Sequence, residues 1–170
     1  MRIARALQRR PGHVVWPPMQ TDSLLLRRST MESILQRAQR QKHAEICGLL
    51  GGTWTDRQAI VTREVAVPNI ARDPRRAFAV NPSLEQNTYD EFEAADQRLV
   101  GIYHSHLFDE CSCSAFDIDH MKLYQVVWLI VALRPEVHYA AWTWRKGHIA
   151  QVDVLVRGGE PGQCSPGCRS

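Results

Sequence analysis

The residues able to do chemistry in this chain concentrate between Leu99 and Asp119. An apolar run, Val100 to Tyr103, ends in His104-Ser105-His106, and after seven intervening residues come Ser114 and, three positions on, Asp117. On a strand, the two-residue period puts the imidazoles of His104 and His106 on one face. On a helix, Ser114 and Asp117 share a face. Two imidazoles and one carboxylate, with a fourth position left to water, make a recurring catalytic zinc set. Ser114-x-x-Asp117 is also a helix-start capping pattern.

Such a water needs a base to take its proton and hand it to a leaving amine. Glu45 is the candidate, an acidic residue where a helix–strand junction opens into the apolar run Ile46 to Leu50.

The elements that must position these residues follow from patterning. Leu24 to Leu26 forms a short strand or a hydrophobic lead-in. Ser29 and Glu32 form a capping box, and Met31, Ile34, Leu35 and Ala38 continue at helical spacing, predicting a helix over 30–41. A strand begins after Glu45 and closes at Gly51-Gly52, and 58–67 pairs with it antiparallel. Pro68, Pro74 and Pro82 break the link that follows. Ser83 and Gln86 predict a second box and a helix to about Arg98. Its acidic residues Glu85, Asp90, Glu91 and Glu93 read as a solvated face. The histidine-bearing strand comes next, then a helix from Ser114 to about Tyr124 and a buried strand over 126–133. A hairpin of 139–145 and 148–156 turns at Lys146-Gly147. This is an α+β pattern, an αβα sandwich around a mixed sheet.

Length and composition set the bounds. The 170 residues suit one domain, with 44% hydrophobic and 23% charged residues. A net charge of +3 is too small to point to nucleic acid. No apolar run reaches membrane-spanning length. Residues 1–20 read as a basic flexible arm without the apolar stretch of a secretory signal, 21–157 as the folded domain, and 158–170 as a flexible tail. Five cysteines form no regular framework, and a cytoplasmic location is expected.

Glu45 with Ile46-Cys47-Gly48-Leu49-Leu50-Gly51, Pro68-Asn69, Phe78, Pro82, His104-Ser105-His106, Ser114 and Asp117 resembles the JAMM (MPN+) metalloprotease family, above all its compact prokaryotic JAB-domain branch. The resemblance spans roughly residues 24–156. It implies the cytidine-deaminase-like MPN fold, with Zn2+ bound by His104, His106 and Asp117. It implies Glu45 as the base that holds the water and moves its proton, and Ser114 as a donor to the water or to the oxyanion. The implied activity is hydrolysis after the C-terminal glycine of a ubiquitin-like protein, or of a sulfur carrier of the same β-grasp shape. Such a tail would add along a sheet edge, between walls formed by 69–81 and 107–113, with Arg72, Arg75 and Arg76 as possible contacts. A catalytically silent scaffold is the competing class, and homodimers are common among such domains. Ser105 is expected to make a structural hydrogen bond.

Some residues depart from that pattern. Leu107 stands where the family often has proline, which should leave the strand exit freer. Cys111 and Cys113 read as small loop residues, a redox-sensitive pair or supplementary ligands. Cys164 and Cys168 could bridge or bind metal.

Overall fold

A computed structural model of the chain describes residues 21–108 and 110–158. The arm over 1–20, most of the expected tail, and Cys164 and Cys168 lie outside the described residues. Among the described residues, seven strands and three helices follow in the order β1 (Ser23–Arg27), α1 (Arg28–Arg40), β2 (Cys47–Trp54), β3 (Gln58–Val67), α2 (Pro82–Ala94), β4 (Arg98–His106), α3 (Ala115–Leu123), β5 (Val127–Ala132), β6 (His138–Arg145) and β7 (His148–Arg157).

The sheet is mixed, as expected. β4 and β5 run parallel and β2 pairs antiparallel with both β3 and β4. Local patterning did not reveal its closure: β1 pairs in parallel with both β3 and β7, so the strands close in the order β1-β3-β2-β4-β5-β6-β7. The β6–β7 hairpin turns at Lys146 and Gly147, both at positive φ (51° and 86°), as a two-residue hairpin turn requires.

Helices cover both faces. α1 contributes Met31, Ile34 and Ala38 to one core, which also holds Leu50, Tyr103, Leu129 and Val131. Phe92 of α2 and Met121 of α3 enter the other, with Leu49, Phe78, Ile102 and Trp128. Neighbouring residues of β5 go to opposite faces, which explains its unbroken apolar run. Gly48 opposes Tyr103 in the ladder, and a Cβ there would lie 2.3 Å from the tyrosine ring. The missing side chain lets that ring cross β2 and reach Arg37 and Glu64.

Two expected caps are placed differently. α1 starts from Arg27, with no side-chain cap, because β1 runs directly into the helix; Ser29 and Glu32 lie inside it. α2 is capped by Asn81, whose side chain accepts from the N–H groups of Ser83 and Leu84. Pro82 follows at the first helical position, where its missing N–H costs nothing. The helix stops at Ala94 rather than near Arg98, as Asp96 takes a left-handed φ of 55°.

Glu85 does not share the solvated face of Asp90, Glu91 and Glu93; it is buried, and the Tyr89 hydroxyl donates to it at 2.6 Å. Burial raises its pKa above the ordinary 4.5, against the opposing effect of the tyrosine hydrogen bond. The native state therefore keeps this proton to higher pH than the unfolded chain does. Its contribution is fully present below pH 4.5 and is lost as pH rises through the raised pKa. Glu85→Gln should be more stable than the natural chain at pH 7, and the difference should vanish below pH 4.5, as measured by denaturant unfolding across pH.

Candidate metal centre

His104 and His106 are the last alternate residues of β4, both buried, and they face the side covered by α2 and α3. Asp117 sits in the first turn of α3, also buried. The His104 and His106 Nε2 atoms are 3.0 Å apart. Asp117 Oδ1 is 3.2 Å from the first and Oδ2 3.5 Å from the second. Four ligands around zinc at 2.0–2.1 Å are separated by about 3.3 Å from one another, and the three measured spacings, which reach both oxygens of Asp117, lie close to that separation. Two imidazole nitrogens this close, with a carboxylate beside both, are a donor set that fits a shared cation.

The surrounding groups orient these donors and shift their proton affinities. His106 Nδ1–H donates to the carbonyl of Glu110 at 3.0 Å, which turns the Nε2 lone pair toward the cluster. His104 is stacked on Phe78, centroids 4.7 Å apart, and meets the edge of Trp128 at 6.0 Å. Its buried Nδ1 has no partner among the described residues. Burial lowers the pKa of His104 despite Asp117, which favours the neutral, ligating ring. At His106 burial also pushes downward, but Asp117, the Glu110 carbonyl and Glu45 together outweigh it and raise the pKa. Burial would raise Asp117; the two histidines and Ser114 instead hold it well below the usual carboxylate range.

Ser114 is the N-cap of α3. Its Oγ accepts from the Asp117 N–H at 3.2 Å and donates to Oδ2 at 2.7 Å, and the Ser114 N–H donates to the same oxygen at 2.7 Å. The capping box and the metal set thus share one carboxylate: Oδ2 satisfies the helix start while Oδ1 faces His104.

Glu45 lies just before β2 and is buried. The register that pairs Cys47 with His104 brings it alongside the histidines. Its charge contributes to the raised pKa of His106; burial, together with that charge, pushes the Cys47 thiol up to about 12. Between the two ligands, Ser105 Oγ accepts from the Ile46 N–H, and the Ser105 N–H donates to the Ile46 carbonyl, both at 3.0 Å. This is the structural role expected for Ser105.

The loop after β4 is anchored rather than freer. Leu107 and Cys111 are buried, and the Trp142 indole N–H donates to the Cys111 carbonyl at 2.8 Å. Cys111 and Cys113 are unbridged, and the cluster of three ligand atoms includes neither. Sequence reasoning gave no role to Phe78, Trp128 or the Glu110 carbonyl. An aromatic residue at position 78 was visible, but not that its ring lies on His104.

His104→Ala should abolish metal binding. Ser114→Ala should keep the metal while weakening affinity at least about tenfold, and should cost about 1 kcal/mol of stability through the lost cap. Competition against a zinc-chelating dye and thermal melts read the two effects separately.

Comparison with known proteins agrees with this geometry. The family described as prokaryotic homologs of the JAB domain matches residues 27–145. A desampylase of Haloferax volcanii is 30% identical over 142 residues, covering 81% of this chain and 99% of that protein. A desampylase of Pyrococcus furiosus is 31% identical over 113 residues, covering 66% of this chain and 76% of the relative. Among solved structures, the solution structure of protein DSY2949 from Desulfitobacterium hafniense has the same fold, with a TM-score of 0.68 at 21% identity, over 82% of this chain and 95% of that one. With the His104–His106–Asp117 cluster in place, the chain belongs to the prokaryotic JAB-domain family and is a zinc metallopeptidase of the JAMM type.

Proposed function

We propose that this peptidase cleaves after the C-terminal glycine of a ubiquitin-like β-grasp protein, removing it from a conjugate or trimming its tail. The observation that carries the reading is the placement of buried Glu45 beside His106 in a three-ligand site. Two relatives bearing the name desampylase support the substrate class.

Zinc held by His104, His106 and Asp117 would supply Lewis acidity and lower the pKa of a water toward ~7. Glu45 takes the proton of the attacking water and delivers it to the departing amine nitrogen. Ser114 donates a hydrogen bond from its hydroxyl to the oxygen of the scissile carbonyl as charge develops there. That donation would exchange its present bond to Asp117 for one to substrate, so Ser114 serves first in positioning and then in stabilisation.

An extended tail needs a backbone edge. β1 pairs with β3 only at Gln58, Ala59 and Ile60, so beyond them no strand pairs with the outer edge of β3 among the described residues. That edge leads to the segment 68–81. Across from it lies the loop after β4, and the Arg75 guanidinium stands 5.1 Å from the centre of the Phe108 ring. A glycine tail bound by main-chain hydrogen bonds suits such a passage.

Glu45→Gln should retain zinc and lose about 10²- to 10⁴-fold in rate. The assay is cleavage of tail-extended β-grasp proteins, ubiquitin-like and sulfur-carrier, with chelator and with zinc restored. Full activity of Glu45→Gln would remove the base. Cleavage of unrelated peptides, with every β-grasp protein spared, would overturn the substrate class.

A further inference from the structure

Asn69 follows Pro68 at the exit of β3, and neither the ligand set nor the base accounts for it. Both ends of its side-chain amide are bonded. Nδ2 donates to the carbonyls of Glu45 at 2.9 Å and Ala77 at 3.0 Å, with a longer contact to that of Pro74 at 3.5 Å. Oδ1 accepts from the N–H groups of Ala71 at 2.9 Å and Ala79 at 3.1 Å. The Pro74 carbonyl in turn accepts from the Glu45 N–H at 2.6 Å.

Both backbone polar groups of Glu45 are therefore bonded to Asn69 or to the segment it organises. This matters because Glu45 lies outside the ladder, which begins at Cys47. On one side Ser105 fixes Ile46; on the other, Asn69 and Pro74 fix Glu45 itself. We propose that Asn69 is a positioning residue, whose amide sets the backbone of Glu45 and so the aim of its carboxylate at the His104–His106–Asp117 cluster. The proposal rests on reading Glu45 as the base.

The chemistry selects asparagine. The position faces carbonyls with one atom and N–H groups with the other, which a short planar amide satisfies at both ends. Aspartate would set an anionic oxygen against the carbonyls, and a serine hydroxyl cannot span both sets. Leaving those buried or half-buried backbone groups unpaired is costly, and a small misplacement of a reacting group costs much rate.

The test compares Asn69→Ala and Asn69→Ser with the natural chain and Glu45→Gln, each as full-length zinc-loaded protein, normalised to folded protein. Amide hydrogen exchange at Glu45 should accelerate about tenfold or more, with Leu129 in β5 unchanged and zinc content full. With the β-grasp substrate, kcat should fall about 10²-fold, KM should stay within about threefold, and the acid limb of the kcat–pH profile should move. Unchanged exchange at Glu45, or a rise in KM with kcat intact, overturns the proposal; the second would make Asn69 a determinant of substrate binding instead. Should one variant be too unstable to purify, the other carries the same readouts. An inactive Glu45→Gln beside fully active Asn69 variants overturns positioning alone, whereas an active Glu45→Gln overturns the base on which it rests.

Discussion

The site depends on a two-way hydrogen bond between Ile46 and Ser105. Ser105 stands between the two histidines on β4, and its N–H and hydroxyl oxygen engage the carbonyl and N–H of Ile46. Alternation along the strand makes this possible, since the residue between two ligands necessarily points to the opposite face. The histidines therefore turn toward α2 and α3 while their neighbour turns back to hold the segment carrying Glu45. One small, wholly buried residue couples the strand that carries the histidines to the segment that carries Glu45.

Charge gives the arrangement its second logic. Asp117 and Glu45 are both buried, Asp117 beside both histidines and Glu45 within electrostatic reach of His106. Buried anions are costly unless paired. The raised proton affinity of His106 is the protein's own partial answer to that excess. A dication among the three ligands would balance both carboxylates together. The site is thus electrostatically built for a metal as well as spaced for one, and the aromatic surroundings of Phe78 and Trp128 keep water from screening the interaction.

The legible parts of the sequence were those governed by short spacing. The His-x-His pair, the Ser114 cap, the apolar β5 and the Lys146-Gly147 turn each declare themselves within a few residues, and all stand where expected. Ser29 and Ser83 carry the same capping signal as Ser114 and do not cap. A strand runs straight into α1, and Asn81-Pro82 supplies a better start for α2. Local chemistry proposes such starts, but the entry path of the chain decides among them. Closure of the sheet through β1 was hidden for a related reason: pairing with β3 and β7 joins segments far apart in sequence, and no periodicity records it. Glu85 was misplaced because charge alone suggested solvent, whereas its position over the core and the Tyr89 hydroxyl decide otherwise.

The two segments flanking the site resolve a tension between rigidity and access. Donors reaching backbone carbonyls tie both to the scaffold: the Asn69 amide and the Glu45 N–H for the first, and His106 Nδ1–H to Glu110 and the Trp142 indole to Cys111 for the second. Each also exposes an apolar residue, Ile70 at 54% and Phe108 at 49%. In place of a proline after the second histidine, buried Leu107 and Cys111 hold the strand exit by packing. Packing of this kind leaves the backbone N–H that proline would remove, so the exit keeps a donor where a stiffened one would have none. Hydrogen bonds and packing hold these segments in place, while Ile70 and Phe108 leave apolar surface exposed on them. The proposed substrate, a folded protein with an extended tail, would call on both properties at once.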